Sequence, residues 1–196
     1  MRSKRPRKKI MESKISIMPY CEVDGIRTLK DSQVKNLFKR MQADGTSEIV
    51  FLDGSIKSAT EFLNAFKYNQ SSLLYIVYYE GVEAAIFWLT RPQSRWAQFN
   101  FCIFKEYWGD KAHEIAAYVL KTVITMKDED GYLFDALLGV ISSRNSYAVK
   151  FAINCGWTPI GVFKNGIWNY KEKKSEDAVL VSFDRRCLKK CKFMRK

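Results

Sequence analysis

Few side chains in this sequence are suited to acid–base or nucleophilic chemistry. His113 is the only histidine, and imidazole is the side chain that most readily exchanges a proton near neutral pH. The five cysteines are odd in number and widely spaced, at positions 21, 102, 155, 187 and 191, so no metal site is predicted. No nucleophile–base motif is evident either. The side-chain types alone therefore do not indicate a particular reaction.

The most distinctive segment is residues 142–163, SSRNSYAVKFAINCGWTPIGVF. Asn145 is a favoured residue for the start of a helix, and Gly156-Trp157 is a typical place for the same helix to end. A strand over residues 158–163 is predicted to follow at once. The segment therefore predicts a strand end, a short helix and another strand, with very short connections.

The longest predicted helix covers residues 110–126 and follows a tight turn at Trp108-Gly109. Its apolar residues recur at helical spacing, at Ala112, Ile115, Ala116, Val119, Leu120, Val123 and Ile124. Free amides at its start could bind an anion. The plainer interpretation is an N-cap at Asp110 and an exposed His113.

The other elements follow from hydrophobic periodicity and turn residues. Strands are predicted at 15–21, 73–79, 82–89, 96–104, 132–140 and 178–183, and further helices at 29–41 and 58–66. A short apolar run at 48–52 turns at Asp53-Gly54, and another turn is predicted at Asn165-Gly166. Strands 99–104 and 132–139, joined by the long helix, are expected to be parallel neighbours. The order predicts an α/β fold with a mixed central sheet and helices on both faces.

The chain carries a net charge of +12, and that charge is concentrated at its ends. Residues 2–14 and 184–196 each hold seven basic side chains against one acidic, so residues 15–183 are neutral. We therefore expect a basic N-terminal tail (1–14), a single domain (15–183) and a basic C-terminal tail (184–196). The tails could tether the domain to nucleic acid or an acidic protein, or could simply be solvated segments that aid solubility.

The sequence predicts a cytoplasmic protein. Its basic start is not followed by an apolar stretch of the kind found in signal peptides, and no apolar run reaches membrane-spanning length. The odd number and wide spacing of the cysteines also fit a reducing compartment.

From about residue 73 to residue 183 the order of elements resembles the GNAT superfamily of acyl-CoA N-acyltransferases. The strongest match is Asn145-x-x-Ala148 with Gly156-Trp157 at the helix end and Gly161 in the next strand. The resemblance implies acetyl-CoA as the cofactor. It also implies that strands 99–104 and 132–139 part, which leaves backbone amides free to bind the pantetheine and the thioester carbonyl.

The resemblance also implies which residues contact the cofactor. These are Phe101, Cys102, Ile103, Trp108, Gly109, Asp110, Lys111, Ala112, His113, Asn145 and Lys150. The turn before the long helix departs from the family pattern, which has further glycines where Lys111 and His113 stand. Only Gly109 is retained there, although the Lys111 ammonium could compensate by binding phosphate.

The catalytic positions also depart from the family. Gln98 stands where many members have a glutamate base, and an amide cannot accept a proton from an amine. Ala152 stands where many have a tyrosine acid. We predict that Gln98 orders water that collects the proton, with Ser143 and Tyr147 as further candidates. Ser142 and Tyr170 are the remaining hydroxyl groups within reach on this topology.

These departures leave two functions open. The first is an N-acetyltransferase that transfers acetyl to an amine of an unknown acceptor, with non-standard catalytic residues. The second is a catalytically degenerate GNAT-like module that binds nucleic acid or a partner protein through its basic tails. The pattern also resembles GNAT-like proteins encoded by bacteriophages, some of which are internal virion components, so a host-cytoplasmic or virion location is implied. A third alternative is that the α/β order is right but the superfamily is a different one.

Overall fold

A computed structural model of the chain describes residues 13–67, 71–93 and 95–194. Its strands are β1 Ile15–Pro19, β2 Glu22–Val23, β3 Ile26–Arg27, β4 Ser72–Tyr79, β5 Val82–Gln93, β6 Trp96–Ile103, β7 Lys127–Asp128, β8 Gly131–Tyr132, β9 Ala136–Ser142, β10 Thr158–Asn169 and β11 Lys174–Asp184. Its α-helices are α1 Asp31–Ala43, α2 Ser47–Val50, α3 Ala59–Lys67, α4 Asp110–Ile124 and α5 Ser146–Asn154. Short 3₁₀ helices occupy Lys105–Tyr107, Arg185–Lys189 and Lys192–Met194.

Seven strands form one mixed sheet in the order β1-β4-β5-β6-β9-β11-β10. Neighbouring strands are antiparallel except β6 and β9, which are parallel. The exception follows from connectivity, because the 15-residue helix α4 carries the chain from the end of β6 back to the start of β9. The predicted mixed α/β sheet is confirmed.

Helices cover both faces of this sheet. On one face, the buried side chains of α1 (Val34, Leu37, Phe38 and Met41) recur every three to four residues. There the Phe51 ring stacks on Trp88 of β5, with centroids 5.5 Å apart. On the other face, Trp157 contacts Phe99 of β6 at 5.8 Å, and Tyr79 of β4 donates a hydrogen bond to Glu114 of α4. We call the first of these the α1–α3 face and the second the α4–α5 face.

The last hairpin differs from the sequence-based expectation. The predicted turn at Asn165-Gly166 lies inside β10, where the pairing with β11 shifts register between Phe163 and Ile167. The Asn165 amide donates to the Asp177 carboxylate, which holds this irregularity within the ladder. The strands turn instead after Asn169, where the Tyr170 amide donates to the Leu52 carbonyl at 2.9 Å. The predicted strand at 132–140 also begins later, at Ala136.

The described part of the predicted C-terminal tail packs on the domain. Cys187 and Cys191 are buried, and Phe193 stacks on the ring of His113 with centroids 4.2 Å apart. Residues 1–12 and 195–196 of the predicted tails lie outside the described residues. Among the helices that are described, none is long and apolar enough to cross a membrane.

Candidate functional site

Strands β6 and β9 part after only three pairs. Trp96 pairs with Ala136, Ala97 with Leu137, and Gln98 with Leu138. Beyond Gln98, β6 continues to Ile103 and β9 to Ser142 without pairing to each other, although each keeps its other neighbour. We call the resulting space the gap. It confirms the parting of these two strands that the family resemblance implied.

The direction of each β6 amide follows from one hydrogen bond. The Phe104 amide donates to the carbonyl of Ala84 in β5 at 3.0 Å. Because backbone groups alternate between the two sides of a strand, the amides of Phe101 and Ile103 point away from β5 and into the gap. The amide of Cys102 points toward β5, and its thiol lies 3.5 Å from the Thr46 hydroxyl. Cys102, expected to line the cofactor site, therefore faces away from it.

Burial also makes the cysteines inside the fold poor nucleophiles. It raises the pKa of the Cys102 thiol to about 11 and that of Cys155 to about 12. Both thiols are therefore protonated at neutral pH, and a structural role follows. Within residues 13–67, 71–93 and 95–194, no cluster of His, Cys, Asp or Glu is arranged to hold a metal.

The turn between β6 and α4 lies at the open end of the gap. Gly109 precedes the helix with φ +85°, a backbone conformation that side chains beyond glycine rarely adopt. The Trp108 indole N–H donates to the Ile103 carbonyl at 2.9 Å, so this side chain covers the far end of β6. In the described structure no side chain caps the first amides of α4. Those amides are therefore available to an anion.

The side chains after Gly109 are turned in different directions. The Lys111 ammonium lies 5.4 Å from the centroid of Tyr79 and 5.5 Å from that of Tyr107, in cation–π geometry. Asp110 is exposed, whereas Ala112 is buried. His113 contacts the Gly109 carbonyl through Nδ1 at 3.1 Å, stacks on the Phe193 ring and meets the Phe151 ring at a tilt. In this arrangement neither Lys111 nor His113 is directed at the end of the gap near Gln98.

Asn145 begins α5 as predicted. Its side-chain oxygen accepts a hydrogen bond from the Ala148 amide at 3.0 Å, which satisfies one of the free N–H groups of the helix. The other predicted residues nearby are more exposed. Tyr147 is 86% exposed, Lys150 is exposed on the same helix, and the Ser143 amide donates to the Asp177 carbonyl. The side chains of Ser143 and Tyr147 thus lie at the surface.

Gln98 lies at the point where β6 and β9 separate. Its side-chain amide donates to the Asn100 carboxamide at 3.3 Å, and Asn100 in turn donates to the Thr90 hydroxyl at 3.4 Å. All three side chains are half-buried on the α1–α3 face, because Thr90 is in register with Gln98 and Trp88 with Asn100. This row of neutral polar groups can order water beside the vertex of the gap.

A buried carboxylate on β11 was missed from the sequence. Glu176 is 6% exposed and accepts hydrogen bonds from Ser142 at 2.7 Å and from Asn169 at 2.6 Å. Those bonds, the one from Asn169 first, hold the pKa of Glu176 below its ordinary value, and Arg144 lies 3.2 Å away. Glu176 therefore fixes the β9–α5 turn to the last hairpin. The sequence held one signal for this residue. Glu176 stands two residues before the apolar Ala178, so the two side chains project from the same face of the strand.

Tyr170, another hydroxyl candidate, lies at the far end of that hairpin. Its ring packs where a side chain on Gly54 would stand, and the Lys57 ammonium lies 3.8 Å from the ring centroid. Hydrogen bonding to Lys57 and the charge of Lys173 lower the pKa of the phenol. Tyr170 attaches the hairpin to the α2–α3 loop, which suits a structural role.

Solved structures resemble this arrangement over most of the chain. An acetyltransferase from Salmonella typhimurium that modifies the N-terminal serine of a ribosomal protein aligns with a TM-score of 0.69 at 13% identity, covering 87% of this chain and 94% of that one. The Vibrio cholerae spermidine N-acetyltransferase, solved with CoA and spermine, aligns with a TM-score of 0.66 at 12% identity, covering 89% and 98%. This chain has the GNAT fold. The Campylobacter jejuni N-acetyltransferase PseH shares the GNAT fold too, with a TM-score of 0.57 at 11% identity, covering 88% and 99%.

Sequence comparison alone does not detect this likeness. No protein-family model matches the chain, and a search of curated protein sequences finds no significant match. The GNAT fold is therefore shown by the arrangement of elements. Of the site residues expected from the sequence, the fold brings Gln98, Phe101, Ile103 and the turn at Trp108 around one gap.

Proposed function

We propose that this protein transfers an acetyl group from acetyl-CoA to an amine of an acceptor still to be identified. The observation that carries the proposal is the parting of β6 and β9 after Gln98 and Leu138. It leaves strand amides unpaired inside a fold whose solved neighbours are N-acetyltransferases, among them structures with bound CoA.

The residues around the gap fit a long, thin cofactor that ends in phosphates. Acetyl-CoA supplies the acetyl group as a thioester. The backbone amides of Phe101 and Ile103 would bind the pantetheine and the thioester carbonyl. The amide of Phe101 would also stabilise the negative charge that develops on the carbonyl oxygen. The uncapped first turn of α4, entered through Gly109, would bind the pyrophosphate. Asn145 would contact the pantetheine from the other side, and Lys150 would lie near the nucleotide.

Proton removal would depend on water rather than on a charged side chain. The Gln98, Asn100 and Thr90 side chains form a row of hydrogen bonds at the vertex of the gap. Water held there would accept the proton as the amine attacks. Ser143 and Tyr147 are weaker candidates, because both side chains are exposed.

The first experiment measures binding of acetyl-CoA and of CoA by calorimetry. We expect binding in the micromolar range, and absence of heat at high micromolar concentration contradicts the proposal. The variant Asn145→Ser gives a sharper test, since serine caps a helix as well as asparagine does but lacks the carboxamide N–H₂ group. We expect unchanged thermal stability and acetyl-CoA binding weaker by about three- to tenfold. Equal affinity of the variant removes Asn145 from the site.

A non-catalytic module that uses its basic ends to bind nucleic acid or an acidic protein is the second candidate. It is favoured by charge, since each end of the chain carries seven basic residues. Arg186, Lys189, Lys190 and Lys192 of the C-terminal end are exposed at the surface. Acetyl-CoA binding without turnover of any amine would favour this candidate.

A further inference from the structure

A shallow groove of about 250 Å³ lies at the opposite end of the β6–β9 pair from the gap. It is lined by Trp96, Ala136, Leu137, Leu138, Ile160 and Ser182. Ser182 contributes the only hydroxyl among these six residues, and the Trp96 indole N–H is the only other polar side-chain group. Trp96 and Ile160 form its exposed rims, with 37% and 56% of each residue open to solvent. Large apolar side chains left open around a concavity mark a place where another apolar group can be buried.

The groove begins beside the vertex of the gap. Gln98 pairs with Leu138, and Leu138 pairs with Ser182, so these three side chains project from the same face of the sheet. Neighbouring strands lie about 4.8 Å apart, so Leu138 is the nearest groove residue to Gln98. A group seated in the groove would therefore lie beside Gln98, at the end of the gap away from the turn that begins α4.

The acidic side chains that flank the groove are already neutralised. Asp135, next to Ala136, forms ion pairs with Arg95 at 3.1 Å and with Arg185 at 2.6 Å. Asp184, in register with Ala136, forms one with Arg186 at 2.6 Å. A polyamine needs free carboxylates to replace the water around its several charges. The acidic residues that flank the groove do not supply free carboxylates.

A peptide is no better suited to the groove. An extended peptide carries an N–H and a C=O at every residue, and each needs a partner once buried. The Ser182 hydroxyl and the Trp96 indole N–H are too few to satisfy that demand. A small molecule with one amine and one apolar group makes no such demand.

We propose that the groove selects the acceptor and binds the apolar group of a small primary amine, such as an arylalkylamine, with Trp96 and Ile160 as its specificity-determining residues. This inference rests on the proposed acetyl transfer. The amine nitrogen forms the new C–N bond while the C–S bond of the thioester breaks. One amine proton passes to water beside Gln98, and the CoA thiolate leaves and takes a proton from solvent.

The test compares two full-length variants on the same strand. Ile160→Glu places a carboxylate in the groove, whereas Val162→Glu alters a residue of equal exposure, 55% against 56%, that does not line it. CoA release is measured with phenethylamine, tryptamine, spermidine and ethanolamine as acceptors, and acetyl-CoA affinity is measured alongside. We expect the two arylalkylamines to be preferred by at least about tenfold in kcat/KM, with that preference lost in Ile160→Glu and kept in Val162→Glu.

The outcomes separate failure of the groove assignment from failure of the proposed acetyl transfer. Preference for spermidine or ethanolamine, or an equal effect of the two variants, overturns the assignment of the groove while acetyl transfer stands. If acetyl-CoA binds but no amine is turned over, binding of phenethylamine in the presence of CoA is measured by calorimetry, and its absence overturns the assignment. If acetyl-CoA itself does not bind, the proposed function fails and this inference fails with it.

Discussion

Gln98 occupies the last paired position of β6, half-buried at the vertex of the gap, with its carboxamide bonded to Asn100. A neutral amide at this point can orient water but cannot hold a proton. The basicity available to the reaction is then that of water, and the rate should respond directly to whatever replaces Gln98.

We predict opposite effects from two substitutions of Gln98. Gln98→Ala removes the group that orders water and should lower kcat by about tenfold, with acetyl-CoA affinity unchanged. Gln98→Glu supplies a general base, and such groups typically contribute factors of about 10²–10⁴. Its rate should exceed that of the wild type and fall again as the pH drops through the pKa of the new carboxyl group.

Steady-state kinetics across pH, with acetyl-CoA binding as the control, check both variants. Unchanged kcat in Gln98→Ala would remove this residue from the reaction. A Gln98→Glu enzyme that is no faster, yet binds acetyl-CoA normally, would show that proton removal does not limit the rate.

At the scale of elements, Glu176 joins the end of β9 to the last hairpin. Its carboxylate accepts hydrogen bonds from Ser142 and Asn169, and its pKa is lowered from 4.5 by them. Because the folded pKa is lowered, the stabilisation is present above about pH 4.5 and is lost as the pH falls through the folded value. We predict that Glu176→Gln costs about 1.5–3 kcal/mol of unfolding free energy at pH 7, and much less at about pH 3.

Urea denaturation at the two pH values measures this loss. Glu172→Gln is the matched control, since Glu172 also bonds to Arg144 but lies at the surface, and little change is expected from it. An equal loss at both pH values would show that the charge of Glu176 is not what joins the two elements.

Gly156, at the end of α5, is where the C-terminal segment closes on the domain. Its φ is +96°, and a Cβ there would lie 2.9 Å from the Cys187 carbonyl oxygen and 3.1 Å from the Cys191 nitrogen. Gly156→Ala should therefore cost about 1–3 kcal/mol from backbone strain alone. In a protein of this size each kcal/mol lowers Tm by about 2–4 °C.

Gly161→Ala is the control for this prediction, because no atom lies within 4 Å of its Cβ position. Thermal denaturation of both variants provides the measurement. Equal melting temperatures would mean that the C-terminal segment is displaced easily and contributes little to the fold.

The elements set by local signals were predicted well from the sequence. The β4–β5 hairpin turns at Glu80-Gly81, and Asn145 begins α5, as their residue types indicate. The turn predicted at Asn165-Gly166 was wrong, because Tyr170 bonds to Leu52 in a part of the chain far away in sequence. Local turn signals cannot report such a contact. The parting of β6 and β9 was predicted through the family resemblance.

The site was less predictable than the fold because it depends on register. Whether Cys102 or its neighbours Phe101 and Ile103 face the gap is decided by the one-residue alternation along β6, which sequence leaves open. The groove beside Trp96 brings together residues of four strands, β6, β9, β10 and β11. No spacing in the chain indicates that Ile160 lies near Leu138.

At the scale of the whole molecule, charge is the property that the fold does not explain. The body of residues 15–183 is neutral, and the net charge of +12 comes from the two ends. Part of the C-terminal end packs on the domain through apolar side chains, Cys187, Cys191 and Phe193, which leaves its lysines at the surface. Arg185 and Arg186 of this end form ion pairs with Asp135 and Asp184, whereas the exposed Lys189, Lys190 and Lys192 place positive charge at the surface of the domain.

Such charge should bind nucleic acid through its phosphates, without regard to sequence. If six or so phosphates are neutralised, the logarithm of the binding constant for duplex DNA should fall with the logarithm of salt concentration at a slope of about −5. Fluorescence anisotropy from 50 to 200 mM salt measures that slope. Replacing the basic residues between Arg2 and Lys9 by glutamine in the full chain should reduce its magnitude to about half, whereas acetyl-CoA affinity should not change. Binding that is insensitive to salt, or unaffected by the substitutions, would mean that these basic residues do not contact nucleic acid.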